Sequence, residues 1–258
     1  MTAFTPAHDA EVRDAGFTVV RGAVEASLAA AWRESLTNLT ALQRASMTER
    51  SRIDDYMVHN PMLQDPVFFG LLEHPSTVAA LDSLLGPTSI LYAFTTSSMP
   101  GGGTNYSNRV HVDCPRVIPG YITNIGIITA LDDFTDENGA TYFLPRSFER
   151  LDVPSEEEFF RDAVRVYPKT GDMVVFNART YHLGGTNLTD RDRHALTINA
   201  CRSYMRQRFD YPRLLPAGVE KTMSPTLRRV LGYDVRVPTS LEEYYLPEDQ
   251  RLYKANQG

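Results

Sequence analysis

The apolar positions change period along the chain, and that change divides it into three stretches. Gly16-Phe-Thr-Val-Val20 reads as a short strand. Beyond it Val24, Leu28, Trp32, Leu36 and Leu39 recur at helical spacing, so an amphipathic helix is expected over residues 25–45. A second helix is expected over residues 76–85, stopped by the punctuation pair Gly86-Pro87. Both helices are expected to buttress a sheet rather than to carry chemistry.

From Ile90 to Tyr204 the period shortens towards two. Strands are expected over residues 90–95, 109–113, 121–131, 140–144, 163–167, 173–176 and 194–204. Met99-Pro-Gly-Gly-Gly103 reads as a flexible loop, and Asn138-Gly139 and Gly171-Asp172 as turns. Many short strands without alternating helices argue for a sandwich or barrel and against a parallel α/β sheet. Glu156-Glu157-Glu158 reads as a solvated loop or a helix start. After Met205 the chain is rich in Pro and Tyr, with one helix candidate over 225–231. The pattern leaves open whether this tail covers a pocket mouth or an oligomer interface. With no Gly/Ser-rich linker, a single domain is expected over 1–258: a mainly helical part at 1–89, a β-rich core at 90–204 and a C-terminal extension at 205–258.

Charge and composition narrow the partners. A net charge of -6, with no basic stripe, argues against nucleic acid. No apolar run approaches the roughly 18 residues of a membrane span. Residues 1–11 lack the basic-then-apolar pattern of a signal peptide, and Gln257-Gly258 does not end a peroxisomal tripeptide. The two cysteines, Cys114 and Cys201, have neither zinc nor redox spacing, so a reducing, cytoplasmic setting is expected. A monomer or homodimer is expected.

Candidate chemistry centres on Arg109-Val-His111-Val-Asp113. On an extended strand His111 and Asp113 leave the same face. His182 follows 71 residues after His111, and Arg193 follows 11 residues after His182. Two ligands from one strand and a third from another can build a 2-His-1-carboxylate triad, which holds iron(II) and leaves positions open. A fixed arginine nearby can anchor a dicarboxylate by a bidentate pair. The set reads as an oxygenase. Singly, each part has a plainer reading: His-x-Asp as a polar strand face, His182 as a hydrogen-bonded histidine, Arg193 as a surface residue. Arg193 is favoured by its own face, which it shares with the small and polar Ala195, Thr197 and Asn199. His8, His59 and His74 have no partners at ligand spacing. The acidic group Asp132, Asp133, Asp136 and Glu137 lacks the ladder of a calcium loop.

The stretch Leu131-Asp-Asp-Phe-Thr-Asp-Glu-Asn-Gly-Ala-Thr-Tyr-Phe-Leu-Pro-Arg-Ser147 resembles a signature of the phytanoyl-CoA hydroxylase-like family of iron(II)- and 2-oxoglutarate-dependent dioxygenases. The Gly16–Gly22 opening, Leu84-Leu-Gly-Pro87, Gly171-Asp-Met-Val-Val-Phe176 and the His182-to-Arg193 spacing are similar too, so the resemblance runs from about Gly16 to Tyr204. It implies a mainly β fold with a double-stranded β-helix (jelly-roll, cupin-like) core and flanking helices. It implies that His111, Asp113 and His182 ligate Fe(II), and that Arg193 holds the distal carboxylate of 2-oxoglutarate, with O2 as the oxidant. Thr141 is implied as a hydroxyl near that carboxylate, and Arg109 as a polar cosubstrate contact. Succinate and CO2 would leave as a substrate C–H bond is oxidised.

The departures from the family pattern bear on substrate more than on iron. The corner reads Pro145-Arg146-Ser147-Phe148 where relatives have Pro-Gly-Ser-His. Met99 and Val110 stand near places where relatives carry Lys and Trp. Because Asp113 fills the position that a halide would need vacated, hydroxylation ranks above halogenation. A small metabolite of secondary metabolism is the expected substrate, with a free amino acid or derivative as the rival. An acyl-CoA ranks lower, since no basic patch in the sequence is placed to hold its phosphates. A non-catalytic jelly-roll binding module and a zinc hydrolase are the competing classes; the intact four-residue set argues against the first, and Arg193 against the second.

Overall fold

A computed structural model describes residues 3–46 and 56–251. Its first helix, α1 (Pro6–Ala15), has no sequence-level counterpart, because Val12 is its one buried residue and no apolar stripe marks it. It is set by its ends. Pro6 opens it, the His8 ring accepts the Thr5 N–H at 3.1 Å, and Gly16 closes it at φ 95°. β1 (Phe17–Val20) follows, then α2 (Ala26–Ser46), which buries Ala29, Trp32, Leu36 and Leu39 on the expected stripe. The short α3 (Phe69–Glu73) leads into α4 (Pro75–Leu85), whose first turn is capped by His74 through the Ser76 N–H. Ala80, Leu81, Leu84 and Leu85 bury its inner face.

The strands are β2 (Ile90–Thr96), β3 (Asn124–Ala130), β4 (Tyr142–Phe143), β5 (Val164–Arg165), β6 (Met173–Asn177), β7 (His182–Leu183) and β8 (Ala195–Cys201). They make a five-stranded sheet in the order β1-β6-β3-β8-β2 and a three-stranded sheet in the order β5-β4-β7, every pairing antiparallel. Side-chain alternation gives the large sheet two different faces. Ile125, Ile127, Met173, Val175, Leu196 and Ile198 pack against the helices. Ile128, Val174, Phe176 and Ala195 pack towards Phe143 of the small sheet. This is the jelly-roll architecture, helices on one side and a second sheet on the other.

Most strands are shorter than their apolar runs. Residues 121–123 precede β3 because Pro119-Gly120 turns the chain there, with the Tyr121 N–H bonded to the Ile118 carbonyl. The expected strand at 109–113 reduces to a single bridge, His111 to His182, because the Asp113 N–H leaves the ladder for the Ala178 carbonyl at 2.9 Å. Conversely, the acidic run at 156–158 opens a true helix, α5 (Glu156–Asp162). Ser155 and Glu158 form a capping box, and three carboxylates lie at the positive end of the helix dipole.

Among the described residues, those of the tail do not line the cavity between the sheets. Gln207 donates to the Leu91 carbonyl and the Arg208 N–H to that of Tyr92, so residues 207–208 cover the open edge of β2. The short helices α6 (Tyr211–Leu214) and α7 (Pro225–Val230) then bring Tyr211, Leu227 and Val230 into the helix–sheet core, and α8 (Leu241–Tyr244) follows on the surface. No helix among the described residues is long and apolar enough to cross a membrane.

Candidate metal and cosubstrate site

Two short apolar rows aim the histidines. Val110 and Val112 pack with Tyr181 and Leu183, which turns the intervening His111 and His182 the other way. The two histidines face each other across a backbone pair bonded in both directions, each N–H to carbonyl distance being 3.0 Å. Residues paired like this project from the same face of the ladder, and their ring centroids lie 4.2 Å apart. Phe143 stacks on His182 and Phe176 meets it edge-on, at 5.6 and 5.0 Å between centroids.

The protons are placed by second partners. His111 Nδ1 lies 2.8 Å from the Arg109 carbonyl, and His182 Nδ1 lies 3.0 Å from the Thr180 carbonyl. A carbonyl only accepts, so each Nδ1 carries the hydrogen and each Nε2 offers a lone pair. Burial, then the nearby His182, pulls His111 down to about 4, which keeps that lone pair free at neutral pH. Asp113 Oδ1 lies 3.6 Å from His111 Nε2 and 3.8 Å from His182 Nε2. The three ligand atoms fall within 4.8 Å of one another. Asp113 Oδ2 accepts from Asn199 Nδ2 at 3.4 Å, and Asn199 Oδ1 accepts from Asn124 Nδ2 at 3.3 Å, a relay that steers the other oxygen towards the imidazoles. Two imidazoles and one carboxylate, open on one side, suit iron(II).

Arg193 is fixed by a two-way backbone bridge to Met99, at 2.8 and 2.9 Å. Its guanidinium lies 3.8 Å over the Phe134 ring, and Nη2 donates to the Ser97 carbonyl at 3.1 Å. Nε and Nη1 are buried with no hydrogen-bond partner. Burial pushes this guanidinium down to about 9, only partly opposed by Asp132. A buried cation with orphaned donors is costly until an anion meets it, and adjacent guanidinium N–H groups match a carboxylate. The residues present therefore fit both iron(II) and 2-oxoglutarate.

His111, Asp113, His182, Arg193 and Thr141 all line one cavity between the sheets. Arg109 does not. Its side chain is exposed and lines an outer cleft with Tyr142 and Phe160, while its backbone carbonyl serves His111. Sequence reasoning missed Thr95, Ser97, Tyr106 and Ser107 on the cavity wall, which sit at a strand end and in loops without a periodic signal. It also assigned no role to Asn199, although its place on the face of Arg193 was the available clue.

The sequence model of the family described as phytanoyl-CoA dioxygenase (PhyH) matches residues 12–195. The chain belongs to this family. A PhyH protein of this kind is an iron(II)- and 2-oxoglutarate-dependent oxygenase that uses O2 and acts on a small molecule. An uncharacterized protein of Mycobacterium tuberculosis is 34% identical over 96% of this chain and 95% of its own length. Dioxygenase af480 of Aspergillus fumigatus is 29% identical over 65% of this chain and 55% of its own. Among solved structures, the epimerase SnoN in complex with Fe3+, alpha ketoglutarate and nogalamycin RO superposes with a TM-score of 0.63, at 22% identity over 82% of this chain and 90% of that one. That likeness shows the shared fold.

Proposed function

We propose that residues 1–258 act as one dioxygenase domain in which His111, Asp113 and His182 hold iron(II) and Arg193, with Thr141 beside it, receives the distal carboxylate of 2-oxoglutarate. The observation that carries this reading is the pairing of a three-ligand cluster with orphaned Arg193 donors in the same cavity. Bound there, iron(II) with 2-oxoglutarate and O2 supplies the oxidising power, and succinate and CO2 are released. The chain's own part is positioning. The Arg109 and Thr180 carbonyls hold both imidazoles in the ligating tautomer, Asn199 orients Asp113, and Phe143 and Phe176 keep the His182 ring in place.

The substrate is read as a small metabolite of secondary metabolism, oxidised at a C–H bond. This is supported by the shared fold with SnoN from nogalamycin biosynthesis. The buried, unbridged Cys114 and Cys201 suit a reducing cytoplasm. A desolvated arginine with open donors in the same cavity suits a dicarboxylate cosubstrate, which favours the oxygenase over a zinc hydrolase. Arg193→Ala tests the reading. It removes the anchor without touching a metal ligand, so the 2-oxoglutarate concentration needed for half-maximal succinate formation should rise at least about 30-fold, with iron affinity nearly unchanged. An unchanged requirement would remove Arg193 from the cosubstrate role.

A further inference from the structure

Folding the tail brings together arginines that are scattered in the sequence. Arg206, Arg208, Arg213 and Arg236 all line one cleft of about 580 Å³, between the start of β2 at Ile90 and the segment after Gly232. That volume lies within the range of small-molecule sites. The charge is poorly balanced. Asp210 is the one carboxylate on the wall, and it pairs with Arg213 at 3.4 Å. Glu243, near Arg213 and Arg236, is occupied by the Thr239 N–H and hydroxyl. Among the described residues, the side chains of Arg206, Arg208 and Arg236 make no hydrogen bond or ion pair. A chain of net charge -6 thus gathers three unpaired guanidinium groups into one concave site.

The place of the cleft separates it from the iron cavity. Ile90 lines the cleft and Thr95 lines the cavity. The five residue steps from one to the other span about 16 Å, so a diphosphate group in the cleft lies well away from the cavity. Convergent guanidinium forks are the side-chain chemistry that binds phosphate oxygens in pairs, and Tyr204 and Phe209 add aromatic wall.

We propose that this cleft is a second binding site, taking a small molecule through a diphosphate group. The diphosphate belongs either to a nucleotide or to a ligand recognised through its phosphates alone. Calorimetric titration of the full-length, iron-loaded protein with inorganic pyrophosphate at low ionic strength tests it. Saturable one-to-one binding is expected, weakened at least tenfold in the Arg208→Gln/Arg236→Gln double variant, whose thermal midpoint should match the wild type. Asp210→Asn keeps the cap of α6 but frees Arg213, and should tighten binding severalfold. ADP run in parallel distinguishes the sources: tenfold tighter binding than pyrophosphate identifies a nucleotide with its ring on the aromatic wall, and equal affinity identifies a ligand read through phosphates alone. Absence of saturable binding, or equal affinity in the wild type and the double variant, would overturn the site.

Discussion

At the scale of single residues, the site is held by groups that never touch the metal. Asn199 is the clearest case. It reaches Asp113 Oδ2 and is itself held by Asn124, so the carboxylate presents one oxygen to the two imidazoles. Removing such an outer partner typically weakens a metal site by about 10–100-fold. Asn199→Ala should therefore loosen iron(II) by that order while the fold stays intact, as read by competition with a chelator. Full affinity in the variant would mean that the backbone alone orients Asp113. The sequence made the ligands legible through spacing: His111 and Asp113 are two apart on extended backbone, and Arg193 shares a face with Ala195, Thr197 and Asn199. It did not make the relay legible, because Asn124 and Asn199 meet only across the β3–β8 pairing, where Asn124 sits two positions from opposite Asn199.

At the scale of elements, β3 and β6 are fitted to each other around a missing side chain. A Cβ on Gly126 would stand 2.1 Å from the Phe176 ring, so that ring lies across the strand only because position 126 is glycine. From there Phe176 reaches both the cavity and His182. Gly126→Ala should destabilise the protein by about 1–3 kcal/mol through overpacking, with most of the loss recovered by Phe176→Leu in the same chain. Equal thermal midpoints for Gly126→Ala and the wild type would show that the ring packs elsewhere. Elements were legible where apolar residues recur at a fixed spacing, as on α2, or run together between turn signals, as on β6. They were not where ends rather than faces define them: α1 rests on its caps, and the strand expected at 109–113 is a single bridge because Ala178 captures the Asp113 N–H.

At the scale of the whole molecule, the large sheet separates structure from chemistry. Its helical face carries the main core, to which the tail contributes Tyr211, and its other face carries the cavity. Tyr211 is fully buried and its hydroxyl donates to Asn60 Oδ1 at 3.1 Å. Tyr211→Ala should cost about 3–5 kcal/mol, as other large-to-small aromatic changes do, while the folded fraction still binds iron(II). A loss of iron binding in protein that remains folded would place the tail in the site. The tail's position was unreadable beforehand because its contacts are long-range and its composition has no period. The central claim, one cavity holding iron(II) through three ligands and 2-oxoglutarate through Arg193, is tested most directly by anaerobic titration of the apo protein with both, following the weak visible charge-transfer band of the chelate. The account predicts a saturable band in the wild type that disappears in His182→Ala. A folded, iron-loaded wild type without the band, or a His182→Ala variant that keeps it, would contradict the account.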